Sequence, residues 1–389
     1  MSFFNDYVGK DMEKGMRGEN TGIPIPLSRI SKVINNIQQG LYTLVGAQSG
    51  VGKSAFVTMV YVLFPYLWSI SGQRKEKLKV VFFSMERGKK FQVQKLVCAW
   101  LYLKHGILID VPTLNQWEGK LFDIGSETEK MIRSAEDFVE DLIASGIVEI
   151  IAGQQNPTGI YKYIENYVRT VGKVEKIIHY KDPSNPSLGS THTESIYTPN
   201  DANLTTVMII DHIGRLRLEK NYTKKQNADK LSEYLANARD EYKISPVVVS
   251  QFNRGQSDSI RRHHLGAAFP EPNDFKDSSN MYEDCDIAMG LYNAYKYDKK
   301  KEALCLDYKI NEFTTPRGYN RFRTLHVLKN SFGRDDVNIA LNFIGECGMF
   351  AELPYPDQLP LKYDPFLDGS YTRNQVEERM REKGVKLEP

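Results

Sequence analysis

Short β-branched apolar runs alternate along this chain with longer stretches whose apolar residues recur at helical spacing. Residues 41–45, 79–84, 147–152, 207–210 and 246–250 are brief and rich in Val, Ile, Leu or Phe, which predicts buried strands. Residues 55–70, 91–105 and 128–145 predict helices. Strands alternating with helices imply an α/β fold, a mostly parallel central sheet flanked by helices. The apolar stretch 55–70 contains Thr58 and Pro65 and is shorter than the roughly 20 residues that span a bilayer, so it is expected to be a core helix.

The flanks of this pattern differ from it. Residues 1–20 are polar and punctuated by glycine, and are expected to form an arm or linker before a core at 21–353. Within the core, 180–203 is rich in Pro, Ser, Thr and Asn and reads as an exposed insertion. Residues 354–389 turn Pro-rich and then charged, as a C-terminal appendage would.

Composition narrows the function classes. A chain of 389 residues with 41% hydrophobic content excludes a disordered protein. Charged residues nearly cancel at a formal +2, so any nucleic-acid contact must be local. Cys98, Cys285, Cys305 and Cys347 are too far apart for a zinc or dithiol motif and are expected to be buried and reduced. Charges at Asp6, Lys10, Asp11, Glu13 and Lys14 argue against a secretory signal, so the expectation is a soluble, cytoplasmic protein (host cytoplasm if viral) with no membrane partner.

The strongest chemical signal is the run Ala47, Gln48, Ser49, Gly50, Val51, Gly52, Lys53 and Ser54, set between a predicted strand and a predicted helix. It fits the phosphate-loop pattern, with alanine where glycine is commoner at the first position. Gly50 and Gly52 let backbone N–H groups turn toward phosphates at a helix N-terminus, Lys53 neutralises β/γ oxygens, and Ser54 can hold Mg²⁺. Asp211 ends the 207–210 strand, where a carboxylate holds Mg²⁺ or caps a helix. Glu86 follows the 79–84 strand; it is a candidate general base or an ordinary solvated glutamate.

These residues in this order resemble the DnaB-type replicative helicases, whose ATPase domain has a RecA-like fold. The resemblance runs from about Thr21 to Phe350. Phe83 to Glu86 resembles the family's catalytic-glutamate segment, and Ile209 to His212 its Mg²⁺-side aspartate strand. Ser250 to Arg254 is similar to the strand whose glutamine, here Gln251, senses the γ-phosphate. Asn273 to Ser279 resembles its DNA-contacting loop. That match implies single-stranded DNA contacts at Arg254, Lys276, Asp277 and Ser279. Leu328 to Gly333 resembles the motif from which a neighbouring subunit inserts a lysine and an arginine finger. Lys329 is retained, Ser331 stands at the arginine position, and Arg334 lies three residues on. The family's N-terminal helical domain is missing from the match, as in a phage-type or divergent member.

The resemblance implies a hexameric ATP- and Mg²⁺-dependent helicase translocating on single-stranded DNA during replication, with a primase or loader as partner. Two alternatives use the same core: a filament-forming recombinase, and a loader subunit with little unwinding activity. The run Arg261, Arg262, His263 and His264 reads equally as a DNA-contacting cluster or a solvated loop. Tyr292, Tyr295 and Tyr297 read as core or rim packing ahead of a base-stacking row.

Overall fold

The structure, a computed structural model, describes residues 8–18, 21–72, 76–117, 119–180, 184–185, 190–253, 269–297, 304–315 and 318–358. In chain order the strands are β1 Thr43–Ala47, β2 Lys77–Ser84, β3 Val148–Ala152, β4 Gly172–Tyr180, β5 Ser190–Pro199, β6 Leu204–Asp211, β7 Ser245–Gln251, β8 Ile287–Tyr292, β9 Leu304–Cys305, β10 Tyr308–Lys309, β11 Phe322–Asn330, β12 Val337–Ile344 and β13 Met349–Glu352. Among the described residues, nine strands form one sheet in the order β13-β12-β11-β8-β1-β7-β6-β2-β3. The six from β8 to β3 run parallel, and β11, β12 and β13 close one side antiparallel.

Helices cover both faces. On one, the continuous helical stretch Lys53–Ile70 buries Phe56, Val57, Val60, Val62 and Leu63 against the sheet. Full burial of side chains of this size stabilises by about 1.5–3 kcal/mol each. This is the described helix apolar and long enough to cross a membrane, yet 61% of it is buried inside the domain. On the other face, helices Pro157–Val171 and Lys224–Tyr242 pack Ile160, Ile164, Leu231 and Leu235 over Met208, Ile210 and Val248. A capping box at Thr223 and Gln226 starts the second of these.

Three expectations differ in detail. The helix expected over 128–145 is two, Glu127–Arg133 and Glu136–Ala144. Ser134 breaks it, turning its hydroxyl onto the Met131 carbonyl at 2.6 Å instead of continuing the helix. The insertion expected at 180–203 begins earlier, as an antiparallel hairpin pairing β4 with β5. Its strands Val174 to Ile178 and Thr193 to Thr198 are β-branched enough to pair, which the Pro- and Ser-rich composition concealed. Residues 273–279, expected as a loop, lie in helical turns: a 3-10 stretch Pro272–Ser278 leads into helix Ser279–Asp284. Asp274, 2% exposed, accepts from the Glu271 N–H at 2.9 Å and starts the turn.

Candidate nucleotide site

The parallel strands deliver their C-terminal ends to one edge of the sheet, and the phosphate-loop segment lies there. After β1 the chain turns through Gly50 at φ 78° and Gly52 at φ 114° and enters the helix at Lys53. A Cβ on Gly52 would lie 2.9 Å from Phe350 and 3.0 Å from Phe343, so glycine is required by both conformation and space. Neighbouring segments brace the loop. Gln48 Nε2 donates to the Asn253 carbonyl at 2.8 Å, and Phe252 N–H to the Ala47 carbonyl at 3.1 Å. From below, Arg323 Nε donates to the Val51 carbonyl at 3.1 Å. That guanidinium is 7% exposed, lies 5.2 Å over the Phe343 ring, and is pushed down to about 10 by burial.

Charged groups gather beside this loop. Asp211 ends β6 and is 4% exposed; its Oδ1 has no hydrogen-bond partner, while the Ser54 side chain bonds the carboxylate. Burial raises its pKa, against the opposing pull of the Ser54 bond and of His212 and Lys53. Lys53 Nζ donates to the Gln48 carbonyl at 3.4 Å. Burial lowers the Lys53 pKa, and the charges of Asp211 and Glu86 oppose that.

Register places Glu86 within the same cluster, because Ser84 at the end of β2 pairs with Asp211. Glu86 carboxylate oxygens lie 3.7 Å from His212 Nε2 and 3.7 Å from Arg215 Nη2. The Gly214 N–H donates to His212 Nδ1 at 3.2 Å. Burial lowers the His212 pKa, favouring a neutral ring that carries its proton on Nε2, toward Glu86. Gln251 ends β7 in register with Ala47 and is exposed. The structure therefore brings Lys53, Ser54, Glu86 and Asp211 together, with Gln251 on the adjoining strand end.

It does not bring Lys329 and Arg334 to this edge. Lys329 pairs with Ala288, whereas the residue level with Ala47 is Leu291. That separation is roughly 10 Å along the strand axis, toward the opposite end of the sheet. There Lys329 Nζ donates to the Tyr282 and Glu283 carbonyls at 3.0 and 2.6 Å. Arg334 is exposed, 3.6 Å from Asp336. Lys276, Asp277 and Ser279 fall on the helical turns before β8, and their side chains lie outside the described part; Arg254, Arg261, Arg262, His263 and His264 lie outside the described residues altogether. Tyr292, 1% exposed, packs edge-on to Phe269 at 5.7 Å, which removes it from any base-stacking row.

Sequence reasoning missed His212, Arg215, Arg323, Lys95 and Lys296 as parts of this edge. Lys95, on helix Lys89–His105, is depressed by burial and held up by the Asp211 and Glu86 charges. Only His212 and Arg215 carried a signal, their closeness to Asp211 in sequence. Lys95 is turned in by the helix after β2, and Arg323 and Lys296 arrive from elements whose approach depends on strand order.

The model of the DnaB-like helicase C terminal domain matches residues 160–352. That span holds Asp211, Gln251, Lys329 and Arg334 but not the 47–54 loop. No curated protein matches the chain. Among solved structures, the ATPase domain of G40P is similar with a TM-score of 0.63 at 17% identity, covering 91% of this chain and 100% of that one. A DnaB-like replicative helicase, described with its interactions with primase, gives a TM-score of 0.60 at 17% identity over 91% of this chain and 68% of that one. These likenesses identify the sheet and its helices as a RecA-like ATPase fold. The chain carries a DnaB-like helicase C terminal domain over residues 160–352 and is an ATP-hydrolysing enzyme of the DnaB-like helicase type.

Proposed function

We propose that the edge formed by residues 47–54, Glu86, Asp211 and Gln251 binds ATP with Mg²⁺ and hydrolyses it, and that the enzyme uses the turnover to move along single-stranded DNA during replication. The observation that carries this reading is the convergence of Lys53, Ser54, Glu86 and Asp211 from three separated strand ends. Magnesium suits the oxygens present: it takes one or two protein oxygens and keeps several waters, and Asp211 offers a buried carboxylate oxygen with no other partner beside the Ser54 hydroxyl. When bound, it would neutralise charge on the phosphate oxygens.

The chain's own groups supply the rest. Backbone N–H groups of the loop and the helix N-terminus face the phosphates, and Lys53 adds its charge. Glu86 orients and deprotonates the attacking water, with the His212 Nε2–H and Arg215 holding its carboxylate. Gln251 senses the terminal phosphate. Lys329 and Arg334, lying away from this edge in their own subunit, serve the nucleotide of a neighbour in a ring, a hexamer in this reading. Arg254, Lys276, Asp277 and Ser279 contact the DNA backbone, with a primase or loader as further partner. Such phosphate contacts make binding sequence-independent and salt-sensitive.

Lys53→Ala tests the assignment. ATPase measured with and without single-stranded DNA is expected to fall to background, and DNA-stimulated turnover by this variant would remove the loop from the mechanism.

A further inference from the structure

Lys296 is not explained by the roles above. It lies on the short helix Ala294–Tyr297, which follows β8 directly. Because β8 runs parallel to β1, its C-terminal end rises at the same edge as the phosphate loop. There Lys296 Nζ donates to the Ser49 carbonyl at 3.1 Å, one residue beyond the carbonyl that Lys53 Nζ reaches. Two ammonium groups thus lie on consecutive carbonyls of one loop. An anion placed between two such ammonium groups is attracted by both, and phosphate oxygens are stronger partners for ammonium than carbonyl oxygens.

Strand order then fixes which part of the anion Lys296 meets. In the sequence β8-β1-β7-β6-β2, Asp211 on β6 and Glu86 after β2 stand on one side of the loop, and Lys296 on the other. A polyphosphate whose terminal group faces Glu86 and Asp211 presents its nucleoside end toward β8. Resting on the nucleotide-site reading above, we propose that Lys296 binds nucleotide within its own subunit, donating to the nucleoside-proximal phosphate, while Lys53, Glu86 and Asp211 act on the terminal end. A cation placed there holds ADP and ATP equally and contributes nothing specific to the breaking of the terminal bond.

The test is calorimetric titration of the full chain with Mg·ADP and with Mg·ATPγS, alongside steady-state ATPase. Lys296→Ala is expected to weaken both ligands by the same factor, about tenfold for a charge-assisted hydrogen bond. The loss in kcat/KM should be carried by KM, and Lys296→Arg should restore most of it. Weakening of ATPγS alone would place Lys296 at the terminal phosphate and overturn the assignment, as would unchanged affinity for both ligands with Lys53→Ala defective. If the unaltered chain binds neither ligand, the site reading fails and the Lys296 role with it, an outcome distinct from the loss of Lys296 alone.

Discussion

At the C-terminal ends of β1, β2 and β6, Asp211 Oδ1 is buried without a partner, Lys53 and Lys95 are depressed by burial, and Glu86 stands 3.7 Å from Arg215 and from the neutral His212 ring. At the opposite end, among the described residues, Asp286, Asp284 and Lys329 are each answered. Asp286 accepts from Arg239 at 3.2 Å and from the Tyr42 N–H at 2.8 Å; Asp284 accepts from Ser232 at 2.6 Å; Lys329 holds two carbonyls. Buried charge without full compensation costs stability, and a fold keeps it where a ligand completes the set. The satisfied end is architecture, and a cation that works there in trans must either be free of that architecture or break it. Arg334, exposed and only loosely paired, is free; Lys329 is not.

This contrast is sharpened first at Glu86, the proposed base. Glu86→Gln is expected to lower kcat by about 10³-fold or more while leaving Mg·ATP binding intact, measured by single-turnover hydrolysis beside equilibrium titration. Normal turnover would disqualify Glu86 as the base. Next come the two cations of the far end. Arg334→Ala should lower turnover of the assembled enzyme by about 10³-fold with no change in Tm, the signature of charge supplied across a subunit boundary. Lys329→Ala should also lower stability, by about 1–2 kcal/mol in chemical denaturation, because the last turn of helix Ser279–Asp284 loses its donor. Equal stability of the two variants would erase the distinction between them.

The smallest effect expected is on pH dependence at Asp211. Its folded pKa is raised above the unfolded value, so the ionised carboxylate opposes folding at neutral pH, and this penalty fades as pH falls through the raised value. Asp211→Asn should therefore raise the neutral-pH Tm slightly, read by thermal unfolding. In the unaltered chain, protons compete with metal at a higher pH than at an ordinary aspartate, so Mg²⁺-supported nucleotide affinity should weaken on moving from pH 7 toward pH 5. A Tm that falls in Asp211→Asn would mean that the carboxylate is structurally compensated after all.

How far the sequence foretold this arrangement depended on whether a feature was local. The loop and Asp211 were legible because phosphate binding and strand-end carboxylates impose residue types over a few adjacent positions. Strand runs were legible for the same reason, though β6 extends to Leu204–Asp211 from the four residues that stood out. The hairpin β4–β5 was obscured because its pairing depends on a partner strand, while its turn composition reads as irregular. Lys296 and Arg323 were invisible because strand order alone brings them to the loop across most of the chain, and Lys95 because its helix turns it back toward Asp211. Placing Lys329 and Arg334 away from their own subunit's site likewise required the antiparallel register of β11 on β8.

In the proposed site the loop from Ala47 to Ser54 wraps the triphosphate, with carboxylates from neighbouring strand ends completing the pocket. It is tested most directly by an experimental structure of the protein with a non-hydrolysable ATP analogue and Mg²⁺. The β- and γ-phosphates are expected against the loop's N–H groups and Lys53, the metal beside Ser54 and Asp211, and Glu86 facing the terminal phosphate. An analogue bound elsewhere, with this loop unengaged, would contradict it.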